Sequence, residues 1–243
     1  MNLTIDIGNT CSKIGIFNDT DQLITTENFT SLNVNHLQRI CDEYNNIKNS
    51  IIASVSTINQ DMVRFLKINC KNFIQLNASV PLPIKNEYES KETLGLDRIA
   101  NVAGVRYFFQ NKNVLVFDVG TAMTIDFITK NNEYLGGNIS PGLEMRFKAL
   151  HNFTHALPLL EQSESYEFFG KNTQEAIISG VQQGIIYEIE GYIRSFHNKY
   201  SQIQNIITGG NADFFEKKLN YPIFAVKNLS LFGLNRILQY NVA

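Results

Sequence analysis

The chain lacks a basic excess. Its 21 lysines and arginines face 23 aspartates and glutamates, a formal net charge of −2 over 243 residues. A nucleic-acid surface needs clustered positive charge, so this balance argues against a DNA- or RNA-binding role. No apolar run approaches the roughly 18 residues that span a bilayer, so no membrane-spanning helix is expected. Cysteine is scarce: Cys11, Cys41 and Cys70 are widely spaced, and no CxxC pair occurs. An odd, scattered set reads as reduced thiols, not as a disulfide framework or a zinc site. Low-complexity stretches, long charge blocks and Pro/Ser-rich linkers are missing too. The first residues already read as a strand, so no signal peptide is expected. With 44% hydrophobic residues, the chain is expected to be a soluble, cytoplasmic α/β protein with room for two modest domains.

What is present is a repeat. Leu3-Thr-Ile-Asp6-Ile-Gly8-Asn9-Thr10 is echoed by Val116-Phe-Asp118-Val-Gly120-Thr121-Ala122. Each copy is an apolar strand that ends in a carboxylate, then a glycine, then small polar residues. A second strand follows each, Lys13–Phe17 and Met123–Ile128. Such a hairpin suits phosphate: glycine lets backbone N–H groups approach an anion, a hydroxyl or amide adds a donor, and the carboxylate holds a metal ion. Two copies point to a nucleotide gripped between two related domains.

Apolar periodicity predicts strands at 3–8, 12–17, 22–29, 50–55 and 72–76, with helices at 33–45, 58–68 and 96–109. The pattern restarts at Asn113 with strands at 114–118, 123–128 and 133–139 and a helix at 142–150. A mobile-looking polar stretch at 161–170 precedes a long helix at 172–199. Then come strand 205–208, a short helix, strand 222–226 and a closing helix at 229–240. The predicted domains are 1–112 and 113–243. In the long helix, Ile177, Val181, Ile185, Ile189 and Tyr192 form an apolar stripe that suits packing against a helix of its own chain or of a partner.

Each motif also has a plainer reading. Asp6 and Gly8 serve turn geometry alone in many hairpins, and it is the second copy at Asp118 and Gly120 that weighs against this. Lys13 is placed to offset phosphate charge, although an exposed strand lysine looks the same. Thr208-Gly-Gly-Asn211 is either a tight strand-to-helix turn or a flat surface for adenine and ribose. Asp97 in Gly95-Leu-Asp-Arg98 lies at a predicted helix start, where the dipole favours a carboxylate without any function. The same pair also supplies a base and an anion clamp. Gly136–Gly142 is rich in turn formers ahead of a helix, where free N–H groups meet anions. His151 and His155 have zinc-like spacing without an acidic partner, and read as helix-end or core histidines.

In this order the motifs resemble the type III pantothenate kinases, the first enzymes of coenzyme A synthesis. The resemblance spans essentially the whole chain. It is carried by DIGNTCSK (6–13), Tyr88 with GLDR (95–98), DVGTAMTID (118–126), GGNISPG (136–142), GKNTQEAI (170–177) and ITGGN (207–211). It implies a duplicated actin-like, ribonuclease-H-like α/β fold with the nucleotide cleft between two similar domains. It also implies ATP with Mg²⁺ as phosphoryl donor, a monovalent cation (K⁺ or NH₄⁺), and a homodimer. Carried over residue by residue, it makes Asp97 the catalytic base and Asp118 the holder of the monovalent cation, with Asp6 holding Mg²⁺ through water. ATP contacts fall on Asp6, Ile7, Gly8, Asn9, Thr10, Cys11, Ser12, Lys13 and Thr121. Pantothenate contacts fall on Tyr88, Gly95, Leu96, Asp97, Arg98 and Thr173. Another kinase of the same fold, acting on a sugar or a short acid, and a nucleotide-binding regulator without catalysis are the competing readings.

Overall fold

Alternation builds the first sheet. Leu3 and Ile5 of β1 (Asn2–Ile7) and Ile14 and Ile16 of β2 (Ser12–Phe17) are fully buried on one face of a hairpin. The computed structural model describes residues 1–242. Contacts divide the chain into two units. The first holds Met1–Gln110, Asn132–Tyr134 and the segment from Asn228, and the second holds Asn111–Asn131 and Leu135–Lys227.

In the first unit β3 (Leu23–Phe29), α1 (Val34–Glu43), β4 (Asn49–Ser54), α2 (Gln60–Asn69) and β5 (Asn72–Gln75) follow the hairpin. The sheet order is β3-β2-β1-β4-β5, with β4 and β5 running parallel to β1. A short strand, β6 (Lys85–Asn86), and a single 3₁₀ turn at Lys91–Thr93 lead to α3 (Leu96–Phe108). Neither β6 nor that turn carries enough residues for a period to be legible, and neither was expected from sequence.

The second unit repeats the plan. It contains β7 (Asn113–Val119), β8 (Ala122–Ile128), β9 (Glu133–Pro141), α4 (Leu143–Asn152), α5 (Thr173–Lys199), β10 (Ile203–Thr208), α6 (Ala212–Glu216) and β11 (Phe224–Ala225). Its order, β11-β10-β7-β8-β9, again puts the third, second, first, fourth and fifth strands side by side. The first residues of β9 count with the first unit, where Glu133 and Tyr134 pair with Lys85 and Asn86. The α5 stripe is spent inside the chain: Ile177, Val181, Ile185 and Ile189 join Leu115, Phe117 and Phe147 in this unit's core, with Tyr192 packed against it.

The last helix, α7 (Leu229–Val242), departs from a linear division at Lys112, because its contacts lie in the first unit. The cause is backbone against backbone. A Cβ added to Gly233 would sit 1.7 Å from the Ala100 carbonyl oxygen, and one on Gly104 would sit 2.4 Å from that of Leu229. Helices α3 and α7 cross where neither carries a side chain, and both are buried along runs of consecutive residues. A polar ladder ties α7 down at its other side. Asn2 Nδ2 donates to Asn235 Oδ1 (2.8 Å), Asn49 Nδ2 to Asn2 Oδ1 (2.9 Å), and Asn72 Nδ2 to Asn49 Oδ1 (2.7 Å). These amides satisfy one another across the starts of β1, β4 and β5.

Two glycine substitutions test the crossing. Gly233→Ala is expected to lose at least about 1–3 kcal/mol by overpacking, read as a drop in the urea midpoint. Gly191→Ala in α5, whose added Cβ meets nothing within 4 Å, is expected to gain about 0.5–1 kcal/mol from helix propensity alone. A Gly233→Ala chain as stable as wild type would mean the helices have room to separate.

Candidate active site

Asp6 is the penultimate residue of β1 and Lys13 stands directly across from it in β2, so the two side chains share a face. The turn between them is closed by the Gly8 N–H donating to the Cys11 carbonyl at 3.1 Å. A Cβ on Gly8 would press that same oxygen at 3.0 Å. Asn9 and Thr10 are exposed at the tip, Ile7, Gly8, Cys11 and Lys13 are half-buried, and Ser12 is buried. Ser230, on the first turn of α7, donates its hydroxyl to Asp6 Oδ2 at 2.6 Å. Burial pushes the Asp6 carboxyl above the ordinary range. The Ser230 hydrogen bond and the Lys13 charge pull it back, while the Asp97 charge pushes it up. The charge of Asp97 is therefore felt at Asp6 inside the first unit.

Asp97 sits in the first turn of α3 and accepts from the Arg98 N–H at 2.9 Å through Oδ1. That carboxylate needs Gly95, where an added Cβ would lie 2.4 Å from Asp97 Oδ1. The helix dipole favours its charge. Arg98 is 3% exposed, and its guanidinium carbon lies 5.4 Å from the centre of the Tyr88 ring. Tyr88 in turn stacks at 6.2 Å on the fully buried Tyr134. Asp6, Lys13, Tyr88, Gly95, Leu96, Asp97 and Arg98 thus belong to one unit, and Ser230 joins them.

In the second unit Asp118 is the penultimate residue of β7, beside Thr208 of β10. Gly209 follows with φ +96°, and a Cβ there would strike Asp118 Oδ1 at 2.4 Å and the Val119 backbone at 2.7 Å. Only glycine fits both the left-handed backbone and the contact. Gly142 packs as tightly on this loop, its would-be Cβ 2.3 Å from the Gly120 and Thr121 carbonyl oxygens. Thr121 is exposed.

Thr173 opens α5 behind the cap Asn172, whose side chain accepts from the Glu175 N–H at 3.0 Å. It borders an apolar groove of about 840 Å³ between α4 and α5, with Arg146, Phe153 and Gly180 also on its walls. The 161–170 stretch, expected to be mobile, is pinned to α5. The buried Gln182 side chain accepts from the Ser163 N–H (2.7 Å) and donates to its carbonyl (3.1 Å), and Ser179 donates to the Glu167 carbonyl (2.6 Å). Helix α4 ends at Asn152, so His155 does not share a helical face with His151, whose Nδ1 contacts the Leu157 carbonyl at 2.8 Å.

The family model for type III pantothenate kinase matches residues 2–195. The type III pantothenate kinase of Bacteroides fragilis is 42% identical over 241 residues, 99% of this chain and 98% of that protein. That of Cytophaga hutchinsonii is 42% identical over 249 aligned positions, covering all of both chains. The chain belongs to the type III pantothenate kinase family. Among solved structures, the activator of 2-hydroxyisocaproyl-CoA dehydratase from Clostridium difficile, with bound ADPNP, aligns at a TM-score of 0.56 and 12% identity. The alignment covers 99% of this chain and 93% of that one. At that identity the likeness speaks for the fold alone, which is the duplicated actin-like α/β fold.

For a type III pantothenate kinase, the oxygen donors fit the expected cations. Asp6 commits one oxygen to Ser230 and keeps the other, and Asp118 lies in the same unit as the Gly120 and Thr121 carbonyl oxygens, all hard donors. Among the described residues no group of three His, Cys, Asp or Glu side chains forms a ready-made metal cage. Magnesium that keeps most of its water and leans on substrate phosphates needs no such cage. Sequence reasoning missed Ser230, because a serine 224 residues from Asp6 carries no local signal. The roles of Gly142 and Gly209 in seating the second loop were hinted at only by glycine-rich spacing.

The Asp6 environment sets a pH dependence. Between the ordinary value of 3.8 and the raised folded value, the folded chain holds more protons than the unfolded one. Stability therefore falls as pH rises through that window and stays lowered above it. Asp6→Asn keeps the shape without the charge. In metal-free buffer it is expected to melt at or above the wild-type temperature near about pH 7, the difference shrinking toward about pH 4. Melting scans across pH check this, and a mutant less stable at neutral pH than at acid pH, relative to wild type, would refute it.

Proposed function

We propose that the chain transfers the γ-phosphoryl group of ATP to the primary hydroxyl of pantothenate, giving 4′-phosphopantothenate at the start of coenzyme A biosynthesis. The observation that carries this reading is the head of α3. There Gly95 makes room for the Asp97 carboxylate, one oxygen is tied to the Arg98 N–H, and the Arg98 guanidinium lies against Tyr88. A primary hydroxyl has a pKa far above neutral, so its attack on phosphorus benefits from a carboxylate that accepts the proton. Asp97 Oδ2 takes that part. Arg98 and Tyr88, with Gly95 and Leu96, orient the pantothenate side, the guanidinium serving its carboxylate. Phosphoryl transfer otherwise asks for alignment and charge neutralisation. The backbone of residues 6–13, the Lys13 ammonium and Thr121 supply these for ATP. When bound, Mg²⁺ at Asp6 through water and K⁺ or NH₄⁺ at Asp118 add positive charge against the phosphates.

The enzyme is further proposed to work in the cytoplasm as a homodimer in which Thr173 serves the pantothenate pocket. The α5 stripe cannot supply the interface, since it is buried in the core. The groove beside Thr173 has the character of a protein contact: Phe153 on its rim is 89% exposed and Gly180 leaves its floor open.

Coupled ADP release with pantothenate, sugars and acetate tests the substrate. Turnover is expected with pantothenate, and 4′-phosphopantothenate is expected as product. Asp97→Asn is expected to lower kcat by about 10²- to 10⁴-fold while ATP still binds. Near-normal turnover in that variant would remove Asp97 as the base.

Activity is also expected to rise steeply with K⁺ or NH₄⁺ and little with Na⁺. Asp118→Asn flattens that response by removing the charge that holds the ion. Equal rates for the wild type in Na⁺ and K⁺ buffers would count against the cation at Asp118.

A further inference from the structure

Asp6 is a half-buried carboxylate of the first unit held by a hydroxyl distant in sequence. Ser230 Oγ lies 2.6 Å from Asp6 Oδ2, within the 2.5–2.7 Å typical of an O–H donor on a charged carboxylate. Ser230 is 8% exposed, so little water competes for the bond. The serine is the second residue of α7, so its backbone is rigid, and α7 is seated by two contacts that do not involve Asp6. These are the Gly233 approach to Ala100 and the Asn235 bond to Asn2. Docking α7 therefore does not rest on the Ser230 hydroxyl alone.

We infer that Ser230 is a positioning residue for phosphoryl transfer: its hydroxyl fixes Asp6 Oδ2, leaving Oδ1 as the oxygen offered to hydrated Mg²⁺ on the nucleotide. This rests on the reading of Asp6 as the Mg²⁺-ATP carboxylate. A carboxylate opposite Lys13 has a competing choice, which is to swing onto the ammonium and close the ion pair. The Ser230 bond opposes that choice by holding one oxygen on the α7 side. Helix α3, which carries Asp97, is locked to α7 by the glycine crossing, so the same contact sets Asp6 in register with Asp97.

Isothermal titration of the full-length chain with Mg²⁺-ADP, and with ADP in EDTA, separates the possibilities. Ser230→Ala is expected to weaken Mg²⁺-ADP binding about tenfold or more, as loss of a hydrogen bond behind a metal ligand does, with metal-free ADP affinity unchanged. Its kcat falls while KM for pantothenate holds. Ser230→Thr keeps a hydroxyl and restores Mg²⁺-ADP affinity. Wild-type Mg²⁺-ADP affinity in Ser230→Ala would overturn the inference. So would equal losses with and without Mg²⁺ accompanied by a lowered melting temperature, which is the mark of disturbed helix packing. Asp6→Asn is run alongside. If it binds Mg²⁺-ADP like wild type, the reading of Asp6 fails and the inference with it. If it loses that affinity while Ser230→Ala does not, only the role of Ser230 falls.

Discussion

In the first unit, the approach of α3 to α7 through Gly104 and Gly233 is the constraint on which the site depends. Two helices meet there backbone to backbone, so their relative position is set by peptide groups and not by side chains that repack. The catalytic candidate Asp97 rides on the start of α3, and Ser230 rides on the start of α7. Whatever fixes the crossing fixes the distance between the groups those helices carry. The asparagine ladder then ties α7 to the starts of β1, β4 and β5, while Ser230 ties it to the end of β1. Strand β1 is thus held at both ends by one helix that arrives last in the chain.

The two carboxylate-bearing loops share topology. Both sheets place third, second, first, fourth and fifth strands in one order, and both carboxylates are the penultimate residue of the first strand. Asp6 is restrained by a hydroxyl and sits opposite a lysine. Gly209 leaves room for the Asp118 carboxylate, since a Cβ there would lie 2.4 Å from Oδ1. A directed hydrogen bond fixes one oxygen of Asp6. Duplication supplied one scaffold twice.

The charge of Asp6 is costly where it stands. Burial opposes ionisation, and Asp97 adds a second negative charge to the same region. Ser230 and Lys13 return part of that cost. Burial pushes the Cys41 thiol up to about 11 and raises Cys70 as well, leaving both poor nucleophiles.

The sequence alone determined the order of elements, the duplicated hairpins and the residue types at Asp6, Asp97 and Asp118. Those signals are local: an apolar period, a strand-ending carboxylate, a glycine next to it. Tertiary structure decided the rest. Ser230 meets Asp6 across 224 residues, and no period or spacing encodes such a contact. The α5 stripe could face its own core or a partner, and only packing against Leu115, Phe117 and Phe147 chose the core. The return of α7 to the first unit was not legible, because a helix's own pattern does not name the surface it will cover. There the deciding fact was a pair of glycines, distant in sequence, that let two backbones touch.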